Sequence, residues 1–165
     1  MYNLGYACIN MGLSNQPKSK RVTTNRSMIR RTFDAKGLPY ASELALQNCL
    51  DLERIIQWNQ DNDIKFYRMS SDILPWHSEY EIEELPDFRA IEASLKRAGS
   101  LAQVYGQRIT THPGPYNKLT SPRPHVVTNT ITDLENHGRI FDLMGLPRSP
   151  YAKINIHVGA HYNDK

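Results

Sequence analysis

Four short apolar runs punctuate the chain, and long segments of helical period separate them. The runs are Leu4–Ile9, ending in Asn10; Ile64–Met69, ending in Ser70, Ser71 and Asp72; Gln107–Thr111, ending in His112-Pro113-Gly114; and Ala152–Ile156, ending in His157. All are short and rich in aromatic or β-branched residues, which predicts strands. Between them, Ala45, Cys49, Leu52 and Ile56 step by four, three and four and fall on one helix face. Phe88, Ile91, Leu95, Ala98 and Ala102 repeat the pattern, as do Val127, Ile131, Leu134 and Phe141, with Gly138 at the remaining position. Ser121-Pro122 predicts an N-cap with proline in the first turn, and Gly145 followed by Pro147 predicts a stop. Residues 11–40 lack this patterning and read as a long basic loop insertion, with one short helix around Ser27–Ala35.

Alternating strands and helices imply parallel strands joined by crossover helices, hence an α/β fold. The sequence runs eight residues past His157, where a fourth covering helix is due. A bare, unpaired parallel strand is a poor way to end a domain. The expectation is therefore a single (β/α)8 TIM barrel of which residues 1–165 are the N-terminal part, holding about the first four βα units. A missing C-terminal half or a second chain would complete it.

At 165 residues with 39% hydrophobic content, the chain is the size of one globular domain. It has no apolar run of membrane-spanning length and no secretion signal at its start, so no membrane partner is expected. Cys8 and Cys49 lack metal-type spacing and are too few for a disulfide framework, which points to a reducing, cytoplasmic setting. The net charge of +3 is unevenly spread. Lys18, Lys20, Arg21, Arg26, Arg30, Arg31 and Lys36 crowd residues 17–40 against the lone acid Asp34, whereas 79–87 is acidic. Such a basic segment suits a polyanion such as nucleic acid; the alternative is a solvated loop.

The polar residues fall at the carboxyl ends of the predicted strands, which converge on one mouth in a barrel. His112 and His157 occupy equivalent ends, and neutral imidazole is a common ligand of divalent metals. His77, in Pro75-Trp76-His77-Ser78, is a third candidate ligand; the alternative is a loop histidine beside Trp76. His161 has no fixed direction, and His125 and His137, on the helical segment, are expected on the surface. The stiff turn from His112 to Tyr116 presents Tyr116 for stacking on a base or sugar, or else packs it on the rim. Tyr6 and Asn10, four apart, share a face. Asp72 and Asp164 are the only carboxylates expected near the strand ends. Phosphate-binding loops and a GxSxG elbow are absent, and Ser70 and Ser71 have no evident base partner.

In this order, Leu4-Gly-Tyr-Ala-Cys-Ile-Asn10, Trp58-Asn59, Phe66-Tyr-Arg-Met-Ser-Ser-Asp72 with Pro75, His112-Pro-Gly-x-Tyr116 and His157-Val-Gly159 with Asp164-Lys165 resemble the UV damage endonuclease family. The resemblance implies a TIM barrel of the xylose isomerase-like, endonuclease IV-like type. It also implies a DNA repair enzyme that nicks the backbone 5′ of UV photoproducts with a divalent metal cluster, usually manganese, with magnesium as the alternative. Its partner would be double-stranded DNA carrying UV lesions. His112 and His157 match metal ligands, and His77 matches a further active-site histidine with a catalytic or ligand role. Tyr116 matches the aromatic that probes the duplex, while Tyr6 and Asn10 match residues around the pocket for flipped nucleotides. Arg68 and Lys165 lie in the matching motifs as DNA contacts. The family usually has Gln before the probing tyrosine; here Pro115 stands there and has no donor, leaving wedge-like stacking. Family members are longer, so this chain by itself is expected not to nick DNA. Other readings are a metal-dependent sugar isomerase or epimerase, and a non-catalytic half-barrel that binds nucleic acid.

Overall fold

The computed structural model describes residues 4–159. In chain order these form β1 (Gly5–Ala7), α1 (Met11–Ser14), α2 (Arg30–Asp61), β2 (Phe66–Met69), α3 (Phe88–Val104), β3 (Arg108–Thr111), α4 (Pro124–Leu143) and β4 (Lys153–Ile154). Two 3₁₀ turns, His77–Glu79 and Ile82–Glu84, lie between β2 and α3. All four expected strands are present, each shorter than its apolar run. They are parallel and ordered β1-β2-β3-β4, with Tyr6 opposite Tyr67, Tyr67 opposite Ile109, and Thr110 opposite Lys153. Sequential parallel order with helical crossovers is the arrangement of a TIM barrel, here with four of its strands. Among the described residues no helix is long and apolar enough to cross a membrane.

Strand alternation divides the sheet into two faces. Tyr67, Met69, Ile109 and Thr111 point to the helices and are buried. Phe66, Arg68, Arg108 and Thr110 point the other way, toward the barrel interior, in register with Lys153. The predicted stripe of α2 is fully covered, Ala45, Cys49, Leu52 and Ile56 all being inaccessible. Each such large aliphatic side chain contributes roughly 1.5–3 kcal/mol on burial. The α3 stripe is also correct, with Ile91, Leu95, Ala98 and Ala102 buried.

The basic insertion is more structured than its pattern suggests. It contains α1 and the first turns of α2, which breaks at Gly37 (φ +61°) ahead of Pro39. The irregular stretch between α1 and α2 is tied to the second part of α2. Asn48 accepts from the Arg26 amide and donates to the carbonyls of Arg26 and Ile73. Asp51 accepts from the Thr23 amide and pairs with Arg26 at 2.7 Å. Phe33 stacks on Trp76 at 5.6 Å between centroids, and the Trp76 indole donates to the Met28 carbonyl. The start of α2 thus clamps the loop after β2.

Helix α4 departs from expectation at both its start and its buried face. Its first-turn proline is Pro124 after Arg123, so Ser121-Pro122 lies before the helix. At its other end, Gly145 (φ +65°) donates to the Asp142 carbonyl and Leu146 to that of Phe141, the paired bonds of a left-handed stop. The residues buried on α4 are Thr130, His137, Ile140, Phe141 and Leu143, while Ile131, assigned to the core stripe, is 44% exposed. The helix is rotated to bury polar groups that periodicity alone sends to the surface.

Two glycines separate packing from propensity. A Cβ at Gly99 of α3 would collide with the Met144 carbonyl oxygen, whereas one at Gly138 of α4 meets nothing within 4 Å. Gly99→Ala is expected to lower stability by about 1–3 kcal/mol, and Gly138→Ala to raise it by about 0.5–1 kcal/mol. Urea denaturation followed by circular dichroism checks both signs.

Candidate functional site

His112 follows β3 directly, and His157 lies three residues after β4. Because Thr110 and Thr111 pair with Lys153 and Ile154, and the Asn155 amide donates to the Thr111 carbonyl, Asn155 stands opposite His112, and His157, two residues further on, comes back to the same face. Their Nε2 atoms are 2.8 Å apart and their ring centroids 4.5 Å apart. The expected convergence of these imidazoles is present. Burial lowers the His112 pKa, and the neighbouring positive charge of Arg68 and the His157 ring add to the effect. A neutral ring keeps a lone pair for a cation.

Arg68 stands on the same face, its Nη1 3.5 Å from His112 Nδ1. Its Nε is buried without a hydrogen-bond partner, as is the hydroxyl of neighbouring Thr110. Arg108 lies over the Phe66 ring at 5.5 Å and donates to the Tyr151 carbonyl, and Lys153 is exposed opposite Thr110. The interior face is therefore cationic and leads to the histidine pair.

Tyr116 is 89% exposed, and Pro115 beside it is exposed too, so the tyrosine projects and does not pack on the rim. Its loop is held at both ends. His112 begins it, while Asn117 donates to Asp133 at 2.8 Å and the Lys118 amide to Thr130.

The first strand ends at Ala7, so Asn10 does not lie on it with Tyr6; it caps α1 and meets the Tyr6 hydroxyl on the helix-covered side. The Tyr6 ring packs against Tyr67 and edge-on to Trp58 of α2. Its hydroxyl donates to Asn59 and accepts from Asn10, whose side-chain oxygen caps α1 at Leu13. Asn59 donates to Gln107, which donates to the Ile56 carbonyl. These groups are engaged in a structural network, so the structure does not bring Tyr6 and Asn10 to the histidine face. Lys165, Asp164 and His161 lie outside the described residues.

His77 also departs from expectation. It is only 5% exposed, and it faces Asp133 and His137 of α4, not the His112–His157 pair. His137, expected on the surface, is 1% exposed, because α4 turns it inward. His77 Nε2 is 3.4 Å from one Asp133 oxygen and His137 Nε2 3.5 Å from the other. Burial pushes His77 down to about 4, so the ring is neutral at pH 7. Burial raises the Asp133 carboxyl, but His137, His77 and Asn117 more than offset this and hold it below the usual range. Trp76, just before His77, adopts a left-handed backbone (φ +61°), an uncommon conformation for so bulky a residue. His77, Asp133 and His137 together form a group able to hold a metal ion. Hydrophobic periodicity missed two of the three. The i, i+4 spacing of Asp133 and His137 was the available signal.

Comparison with known proteins agrees with this architecture. A family model described as UV-endonuclease UvdE matches residues 2–165. The chain is 35% identical over 164 residues to the UV-damage endonuclease of Schizosaccharomyces pombe, covering 98% of this chain and 27% of that protein. It is 31% identical over 166 residues to the putative UV-damage endonuclease of Acanthamoeba polyphaga mimivirus, covering 100% and 49%. The UV DNA damage endonuclease of Bacillus mycoides is 38% identical over 123 residues, covering 74% and 38%. The crystal structure of SacUVDE superposes with a TM-score of 0.79 at 27% identity, over 97% of this chain and 50% of that one. The chain thus spans at most half the length of these relatives.

Tyr6→Phe removes one hydrogen bond each from Asn10 and Asn59, leaving the Asn59 side-chain oxygen and the Asn10 amide without the phenol beneath the helices. It is expected to cost about 1–3 kcal/mol of stability. Urea denaturation followed by circular dichroism reads that loss.

Proposed function

The chain belongs to the UV-endonuclease UvdE family, and from that premise we propose that it supplies the DNA-facing wall and two metal-holding histidines of an endonuclease that nicks DNA 5′ of UV photoproducts. The observation that carries this is the convergence of His112 and His157 beside Arg68 on one cationic face. A sugar isomerase has no comparable use for three cations and an exposed tyrosine around its ligands. A strongly charged phosphodiester does.

The donor set fits a divalent cation in part. Two imidazoles converge at hydrogen-bond distance, so an ion between them would need the rings to part by a few tenths of an ångström, and among the described residues no carboxylate joins them in a three-ligand group. When bound there, manganese or magnesium would supply charge neutralisation at the scissile phosphate and a hydroxide near neutral pH.

The protein's own residues set the substrate in place. The Arg68 guanidinium, its Nε unpartnered, suits a phosphate oxygen, and its planar fork can take two at once. Arg108 and Lys153 extend the positive track along the strands. Lys18 and Arg21, with Arg26, line a surface groove beside α1 where further backbone phosphates can lie. Tyr116 and Pro115, exposed on their tethered loop, form a wedge against the base stack. Photoproducts stack and pair poorly, so unstacking them costs less than unstacking normal bases, and a wedge without base-reading donors still selects them.

Tyr116→Ala is expected to weaken binding of a duplex with one photoproduct by roughly 5- to 100-fold, the scale of one lost stacking contact. Arg68→Ala weakens damaged and undamaged duplexes alike and flattens the salt dependence. Anisotropy titrations across a salt series read both effects. Equal loss for both duplexes in Tyr116→Ala would remove the wedge from this reading. Two imidazoles that no carboxylate joins among the described residues also predict that this chain alone leaves UV-irradiated plasmid uncut in Mn²⁺. Conversion to nicked circles would overturn that.

A further inference from the structure

We propose that His77, Asp133 and His137 form a second cation site, separate from the His112–His157 pair, that takes a zinc-type divalent ion and pins the connection after β2 to helix α4. The three residues come from two segments far apart in sequence, and their donor atoms all lie within 4.8 Å of one another.

The spacing is the first reason. His77 Nε2 and His137 Nε2 stand 3.4 and 3.5 Å from the two Asp133 oxygens. Charge-assisted hydrogen bonds close to about 2.7–2.9 Å, so both contacts are too long to be good ones. Two ligands bound at about 2.1 Å to one tetrahedral centre sit about 3.4 Å apart. The carboxylate is thus held away from both rings at the separation that co-ligands of one ion keep.

Burial is the second reason. Both imidazoles are more than nine-tenths buried, and Nδ1 of each has no hydrogen-bond partner. With Nε2 only loosely opposed to Asp133, neither ring is well satisfied, which is rare for polar groups at this depth. A cation bound at Nε2 gives each ring a strong interaction in place of a stretched one. The set of two imidazoles and one carboxylate suits zinc, whereas magnesium and calcium prefer oxygen-rich cages.

Support around the donors is the third reason. Asn117 donates to Asp133 at 2.8 Å, and Asn136 donates to the His77 carbonyl at 2.7 Å. These bonds fix the carboxylate and the backbone of His77 as outer partners of a metal ligand do. Three protein donors leave one coordination position for water. An ion here would join the Trp76–His77 turn to the middle of α4, and through Asn117 to the base of the Tyr116 loop.

The site can be tested whether or not the chain acts on DNA. The full chain is stripped with a chelator and titrated with Co²⁺, whose visible absorption reports four-coordinate geometry, followed by displacement with Zn²⁺. A tetrahedral Co²⁺ spectrum should grow in to one equivalent, yield to Zn²⁺ and raise the melting temperature, any further ion at the two-imidazole His112–His157 pair adding no tetrahedral band. Asp133→Asn, which preserves shape, and His77→Gln should each weaken that binding at least about tenfold. His112→Ala and His157→Ala should leave the spectrum and the melting shift intact. Failure of the wild-type chain to take up Co²⁺ in tetrahedral form overturns the site. So does a spectrum that survives Asp133→Asn but vanishes in His112→Ala, which would return the ion to the barrel mouth.

Discussion

The parallel register between β3 and β4 is the constraint on which the site depends. Thr110 opposite Lys153 and Thr111 opposite Ile154 set Asn155 opposite His112, so that His157, two residues further on, is returned to the same face. The two histidines then face each other with no side-chain search. A slip of one residue would turn one of them to the helix side. Register is enforced from behind. Ile109 and Thr111 are buried under the helices, and Ile154 packs against that core, so a slipped β4 would bury Lys153 instead.

The helices that enforce the register also create the second cluster. Helix α4 covers the β3–β4 edge but does not present an all-apolar stripe. It buries Thr130 and His137 alongside Ile140 and Phe141. Thr130 fixes Lys118, Asp133 fixes Asn117, and His137 faces His77. One helix face thus organises two loops. The clamp of Phe33 on Trp76 closes over the same region from the start of α2. Polar groups at core positions serve here as orienting devices for loops that carry chemistry.

The alternation of strands and helices, the stripes of α2 and α3, the convergence of His112 with His157 and the projection of Tyr116 were all legible in the sequence. These features follow from local period, strand-end position or turn chemistry, which a single sequence displays. What stayed hidden depends on how an element is rotated by its neighbours. The α4 stripe through Ile131 was wrong because periodicity counts apolar residues, and this helix buries polar ones. The same count sends His137 to solvent and gives no sign of Asp133, whereas the helix turns both toward His77. Tyr6 and Asn10 do not lie on one strand, because β1 ends at Ala7 and Asn10 caps α1, and a strand pattern does not say which face meets the helices. In β1 the phenol of Tyr6 goes beneath them.

The tether on the Tyr116 loop has a kinetic meaning. With its backbone anchored to α4 by Asn117 and Lys118, the tyrosine has only its own two side-chain torsions left to order when it meets a partner. Little entropy is then lost on contact, and no loop closure need precede it. A partner that fits the exposed ring is then told from one that does not by how slowly the complex comes apart, and not by how fast it forms.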